Sequence, residues 1–168
     1  ATTAHEVAHM RGRIEKQFGT ACPWSIKQVA GGQVDVDFLA QYLVLVHGEH
    51  HPEIITSDTV SIFNMAEKTG DLEPNDATHL RNAKFLYRDL QTFLALTIDG
   101  ELTDAKVESF SEQLKFDLVK ITGQESFDTL ARHLAETEQN IRDIFMRVVG
   151  DPLAMPDNDP SKDRKKPG

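Results

Sequence analysis

The sequence predicts an all-α fold, an up-and-down bundle of about six helices, and three observations lead there. Apolar residues recur at three- and four-residue steps through most of the 168 residues, the period of a helix with one buried face. The breaks between these stretches fall at Gly19, Gly70, Pro74, Gly100 and Gly123, residues that stop or start helices. The single β-leaning piece, a short extended segment at 25–29, has no partner strand in the chain. It is expected to pair, if at all, with a sheet belonging to another domain.

In order, residues 4–18 carry Val7, Met10, Ile14 and Phe18 at helical spacing, with Gly19 as the stop. Arg11, Arg13 and Lys16 make this lead-in helix locally basic, and they read as a solvated face. Residues 33–46 form the most apolar helix of the chain. Ser57 and Asp58 can start the next helix, with Val60, Phe63 and Ala66 inward and Gly70 closing it. Pro74 fits the first position of a long helix whose seam is Leu80, Ala83, Tyr87, Leu90, Leu94 and Thr97. Leu86, Phe93 and Leu96 widen that stripe, which predicts cover on two sides. Thr103 caps a helix with Val107, Phe110, Leu114, Leu118 and Ile121 inward, closed by Gly123. The last helix runs from Ser126 to Val149 on Phe127, Leu130, Leu134, Ile141, Ile144 and Val148. The organisation reads as a lead-in helix and linker over 1–24, a helical bundle over 25–150, and a disordered tail over 151–168. Pro152, Pro156, Pro160 and Pro167 break that tail, and charge dominates it.

Composition narrows the function. The net charge of −9 argues against nucleic acid or an anionic membrane as a generic partner, since both require a basic surface. No apolar run reaches the ~20 residues that span a bilayer. The single cysteine, Cys22, permits no internal disulfide and fits a reducing, cytoplasmic setting. His47 and His51 are four apart, a possible metal pair if the helix reached that far. Gly48 and Pro52 end it, no further ligand stands nearby, and no metal site is assigned.

The stretch from Lys27 to Val46 is where polar residues enter the most hydrophobic segment. Asp35 and Asp37 invite a reading as a metal-holding carboxylate pair on a strand, where residues two apart share a face. The long apolar continuation from Leu39 to Val46 favours a helix instead. At roughly 100° per residue the two carboxylates then point about 160° apart. Gln33, Asp37 and Gln41 form one polar column, and Asp35 falls on the apolar side with Leu39 and Tyr42. A buried carboxylate needs a partner, and Lys27 or a group on another domain is the expected one. The plainer alternative is that Asp35 caps the helix while Lys27 is solvated.

Lys27, the pair Gly31-Gly32, then Asp35, Asp37, Phe38 and Gln41, followed by Tyr42-Leu43-Val44-Leu45, His47-Gly48 and His51-Pro52, resemble the signature of the glutamine synthetase adenylyltransferases. The PII uridylyltransferases have a similar arrangement of Lys, Gly-Gly and Asp. Asp37 stands where the family more often has Glu. The resemblance covers residues 5–150 and implies a helical domain that follows a nucleotidyltransferase core. The catalytic signature of that core, a Gly-Ser turn before an Asp-x-Asp strand, belongs upstream; the chain has no Gly-Ser dipeptide.

What the resemblance implies is a parent enzyme that moves AMP from ATP onto glutamine synthetase and removes it again, with ATP and Mg²⁺ as cofactors and the PII signal protein as a regulator. The acidic, flexible end looks like a polypeptide terminus, which favours the C-terminal half of such an enzyme. The chain itself is then expected to be non-catalytic, with no metal or cofactor of its own. Lys27, Gly31, Gly32, Asp35, Asp37 and Gln41 would border the active site of the upstream domain. The competing role is a free-standing helical protein-interaction module without nucleotide chemistry.

Overall fold

The computed structural model describes residues 2–154, which form seven α-helices. They are α1 (Thr2–Phe18), α2 (Gln33–His47), α3 (Thr59–Thr69), α4 (Pro74–Thr97), α5 (Asp104–Glu108), α6 (Glu112–Thr122) and α7 (Phe127–Val148), with a 3-10 turn at Pro52–Ile54 between α2 and α3. No β-strand occurs among the described residues, so the all-α expectation holds.

The helix ends follow from side-chain chemistry. Asp58 accepts from the Ser61 amide at 2.9 Å, Ser111 from Leu114 at 3.2 Å and Ser126 from Thr129 at 3.1 Å. Each satisfies an amide that the first helical turn leaves unpaired. Pro74 stands at the first position of α4, where its missing N–H costs nothing. Gly70 and Gly123 close α3 and α6 with φ of 82° and 68°, a backbone that disfavours any side chain.

Two expectations need correction. The stretch 103–122 is two helices, because Ser111 opens a new N-terminus after Ser109 has closed α5. The break lets Phe110 turn inward to 6% exposure beside Trp24 and Phe127. The segment 25–29 is not extended. Cys22 and Ser25 carbonyls accept turn hydrogen bonds from Ser25, Gln28 and Val29. Its one bridge pairs Val29 with Thr20 of the same chain. Trp24, stacked on Phe127 at 5.2 Å, draws the segment onto the bundle, and burial of that indole outweighs a weak β preference.

α4 is the axis of the bundle, packing on α2, α3, α6 and α7. Leu80, Ala83, Tyr87, Leu90 and Leu94 are buried along it; Leu86 and Phe93 are half-buried on its second side, while Leu96 and Thr97 face out. α7 matches it with Leu130, Leu134, Ile141, Ile144 and Phe145. α1 is different. Among the helices it packs along α2, reaching α7 through charged side chains. Its inner face is Val7, Ala8, Arg11 and Gly12, so Met10 of the apolar row faces outward, and Phe18, the last residue of the helix, is exposed as well. At Gly12 a Cβ would stand 2.2 Å from the Pro152 carbonyl oxygen, which fixes how closely the chain after α7 crosses α1. Pro152 is buried there; the rest of the expected tail, 155–168, lies outside the described residues.

Candidate functional site at the start of α2

The glycine pair turns the chain into α2. Gly31 has φ 78°, and a Cβ on it would lie 1.6 Å from the Glu138 carbonyl oxygen of α7. A Cβ on Gly32 would meet the Ile26 carbonyl oxygen at 2.0 Å. Both positions are therefore restricted to glycine, Gly31 by conformation as well as by space. The Tyr87 hydroxyl of α4 donates to the Gly31 carbonyl at 2.7 Å. Burial, with the carboxyls of Glu138 and Asp35 nearby, pushes that phenol above its ordinary range, so it remains a donor.

Asp35 lies three residues past the Gly32 cap and is fully buried. One oxygen accepts from the Arg11 Nε of α1. The other accepts from the Gly31 amide at 2.6 Å and from the Arg142 Nη1 of α7 at 3.2 Å. Arg142 Nη2 also reaches Glu15 at 2.9 Å, and Arg11 Nη1 lies 3.5 Å from the same carboxylate. Two guanidiniums thus face two carboxylates among α1, α2 and α7, with Arg11 Nη1 and Nη2 buried without a hydrogen bond. Arg11, which read as part of a solvated face, is fully buried. The partner of Asp35 is neither Lys27 nor a group from elsewhere. It is a pair of arginines 24 residues before it and 107 after it.

Glu138 completes this interior. It is 4% exposed, and desolvation pushes its carboxyl up to about 9, so at neutral pH it is a neutral acid. One of its oxygens makes no hydrogen bond. Arg11, Glu15, Tyr87, Glu138 and Arg142 are not among the site residues read from sequence. One signal was present: the α7 seam steps from Leu134 to Ile141, and the position between them on the buried face is Glu138.

The remaining motif residues point away. Asp37 accepts from Gln33 at 2.9 Å and from Lys84 at 3.4 Å on the outer side of α2. With Gln41 it lines an open groove of about 460 Å³ between α2 and α3, floored by Ala40, Val44 and Ile62. Lys27 is exposed at the edge of a second groove, of about 410 Å³, that includes Trp24, Gln91, Leu94 and Ile98. The structure therefore brings Gly31, Gly32 and Asp35 together and leaves Lys27, Asp37 and Gln41 on the surface. Asp35 and Asp37 share no ligand position, as the helix period requires. His47 ends α2, and both it and His51 converge on Asp71, at 3.1 and 3.7 Å. Among the described residues no group of three or more His, Cys, Asp or Glu side chains is placed to hold a metal ion.

Comparison with known proteins adds an independent finding. The chain is 39% identical over 146 residues to the bifunctional glutamine synthetase adenylyltransferase/adenylyl-removing enzyme of Xanthobacter autotrophicus, covering 87% of this chain and 14% of that enzyme. It is 37% identical over 150 residues to the enzyme of the same name from Rhodopseudomonas palustris, covering 89% and 15%. The Bradyrhizobium diazoefficiens enzyme matches at 34% over 149 residues, again 89% and 15%. The chain therefore corresponds to about a seventh of the length of these relatives. No family model and no solved structure matches it.

Proposed function

We propose that this chain, related through one segment to the bifunctional glutamine synthetase adenylyltransferase/adenylyl-removing enzymes, is a helical, non-catalytic part of such an enzyme. The parent would carry a nucleotidyltransferase domain that holds ATP and Mg²⁺, act on glutamine synthetase in the cytoplasm, and answer to PII. The single observation that carries the non-catalytic reading is the fate of Asp35. Both its oxygens are taken by Arg11, Arg142 and the Gly31 amide, in a site closed to solvent. A carboxylate so buried and neutralised by two guanidiniums is out of reach of a metal and a triphosphate in a solvent-filled cleft, and Asp37 faces the other way.

Gly31, Gly32 and Asp35 then act as a joint that fixes the angle between α1, α2 and α7. Lys27, exposed just before the turn, is the group of the motif that can meet a neighbouring domain or a phosphate. The test is AMP transfer from labelled ATP onto glutamine synthetase. The full-length parent should transfer, and the purified chain alone should not, with Mg²⁺ present. In the parent, Lys27→Ala should lower transfer several-fold without changing the unfolding midpoint. Metal-dependent transfer by the chain alone would overturn the non-catalytic reading.

A further inference from the structure

We propose that α1 is a releasable helix. It leaves the bundle as one unit while α2 to α7 stay folded, and two pins hold it: the charged joint and the crossing of Gly12 by Pro152. Among the helices α1 packs on α2 alone. Only Val7 and Ala8 of its side chains belong to the hydrophobic core, where α4 contributes Ala77, Leu80, Ala83, Tyr87, Leu90 and Leu94. Little apolar burial therefore opposes release.

The charges are arranged so that release strips none of its partner. Two pairs cross between α1 and the rest of the bundle: Arg11 with Asp35, and Glu15 with Arg142 at 2.9 Å. Each side also holds a pair of its own. Within α1, Arg11 Nη1 lies 3.5 Å from Glu15, four residues on. Within the remainder, Asp35 accepts from Arg142 at 3.2 Å and from the Gly31 amide at 2.6 Å. Breaking the crossing pairs leaves one guanidinium with one carboxylate on either side. An opened buried ion pair is costly chiefly when a charge stays behind uncompensated, and here none does. Release also hydrates Nη1 and Nη2 of Arg11, which make no hydrogen bond inside.

The second pin is steric. A Cβ on Gly12 would stand 2.2 Å from the Pro152 carbonyl oxygen and 3.0 Å from its carbon. These are backbone atoms, so a side chain there parts α1 from the chain that crosses it. Alanine is the better helix former of the two residues. Gly12→Ala therefore loosens the docking of α1 without weakening the helix itself.

Native-state hydrogen exchange of the chain, followed by NMR along a urea series, tests this. Amides of residues 6–16 should share one opening equilibrium, reached at least about a hundredfold more often than that of the α4 amides. In Gly12→Ala their exchange should rise roughly tenfold further while the α4 amides keep wild-type protection. A common equilibrium for α1 and α4 would overturn the proposal, because α1 would then leave only on global unfolding. Protection that falls gradually toward Thr2 would overturn it as well, since that is fraying. So would a Gly12→Ala chain in which α1 exchanges at the wild-type rate, or in which α4 loses as much protection as α1.

Discussion

Asp35 and Asp37 stand two residues apart on α2 and do opposite things. Asp35 is sealed between two arginines and a backbone amide, while Asp37 sits on the surface with Gln33 and Lys84. The difference comes from the helix period alone, which sends neighbours at i and i+2 to opposite sides. It teaches that one short motif can hold two separable parts: an inward half, Gly31, Gly32 and Asp35, that sets geometry, and an outward half, Lys27, Asp37 and Gln41, that is free to make contacts.

The comparison breaks most readily at Gly31. Gly31→Ala forces a side chain into a left-handed backbone and onto the Glu138 carbonyl, and it should cost about 3–5 kcal/mol in urea denaturation. Lys27→Ala, on the outward half, should stay within about 0.5 kcal/mol of the wild type. Equal losses would remove the distinction. Next come the seams that carry the joint: Leu90→Ala or Leu134→Ala should each cost about 2–5 kcal/mol by leaving a cavity at a fully buried position.

Glu138 gives a pH signature of the inward half. Its folded value near 9 lies above its ordinary 4.5, so the folded state keeps a proton that the unfolded chain releases. The stability tied to that proton is complete below about pH 4.5 and drains as pH rises through 9. Glu138→Gln should flatten this slope, which is at most about 1.4 kcal/mol per pH unit, and make the protein more stable than wild type at pH 8 but not at pH 4. Thermal unfolding across that range checks it. The smallest effect belongs to the helix ends, where Ser126→Ala should cost about 1 kcal/mol.

Much of the fold is legible from periodicity because leucines at 3-4 spacing, as in α4 and α7, have one way to be buried. The charged interior was not legible. Arg11 lies beside Arg13 and Lys16 in a run that reads as solvated, and its partners are Asp35, 24 residues away, and Glu15, two carboxylates that it shares with Arg142 of α7. Periodicity marks which face a residue occupies, but not which distant charge will stand opposite it. The row Met10, Ile14 and Phe18 misled for a related reason. The buried stripe instead carries small residues, Ala8 and Gly12: Gly12 lies against the Pro152 carbonyl and Arg11 against Asp35, which turns Met10 outward, while Phe18 is exposed as the last residue of the helix. Ser25–Val29 shows local preference giving way to the burial of Trp24.

The central claim is that Asp35 is architecture and Asp37 is surface. The most direct test sets Asp35→Ala beside Asp37→Ala in urea denaturation at neutral pH. Removing Asp35 leaves two buried guanidiniums without their shared carboxylate and should cost about 3–5 kcal/mol. Removing Asp37 loses a partly exposed pair with Lys84 and a hydrogen bond from Gln33, and should cost about 1 kcal/mol. Losses that agree within about 1 kcal/mol would contradict the account.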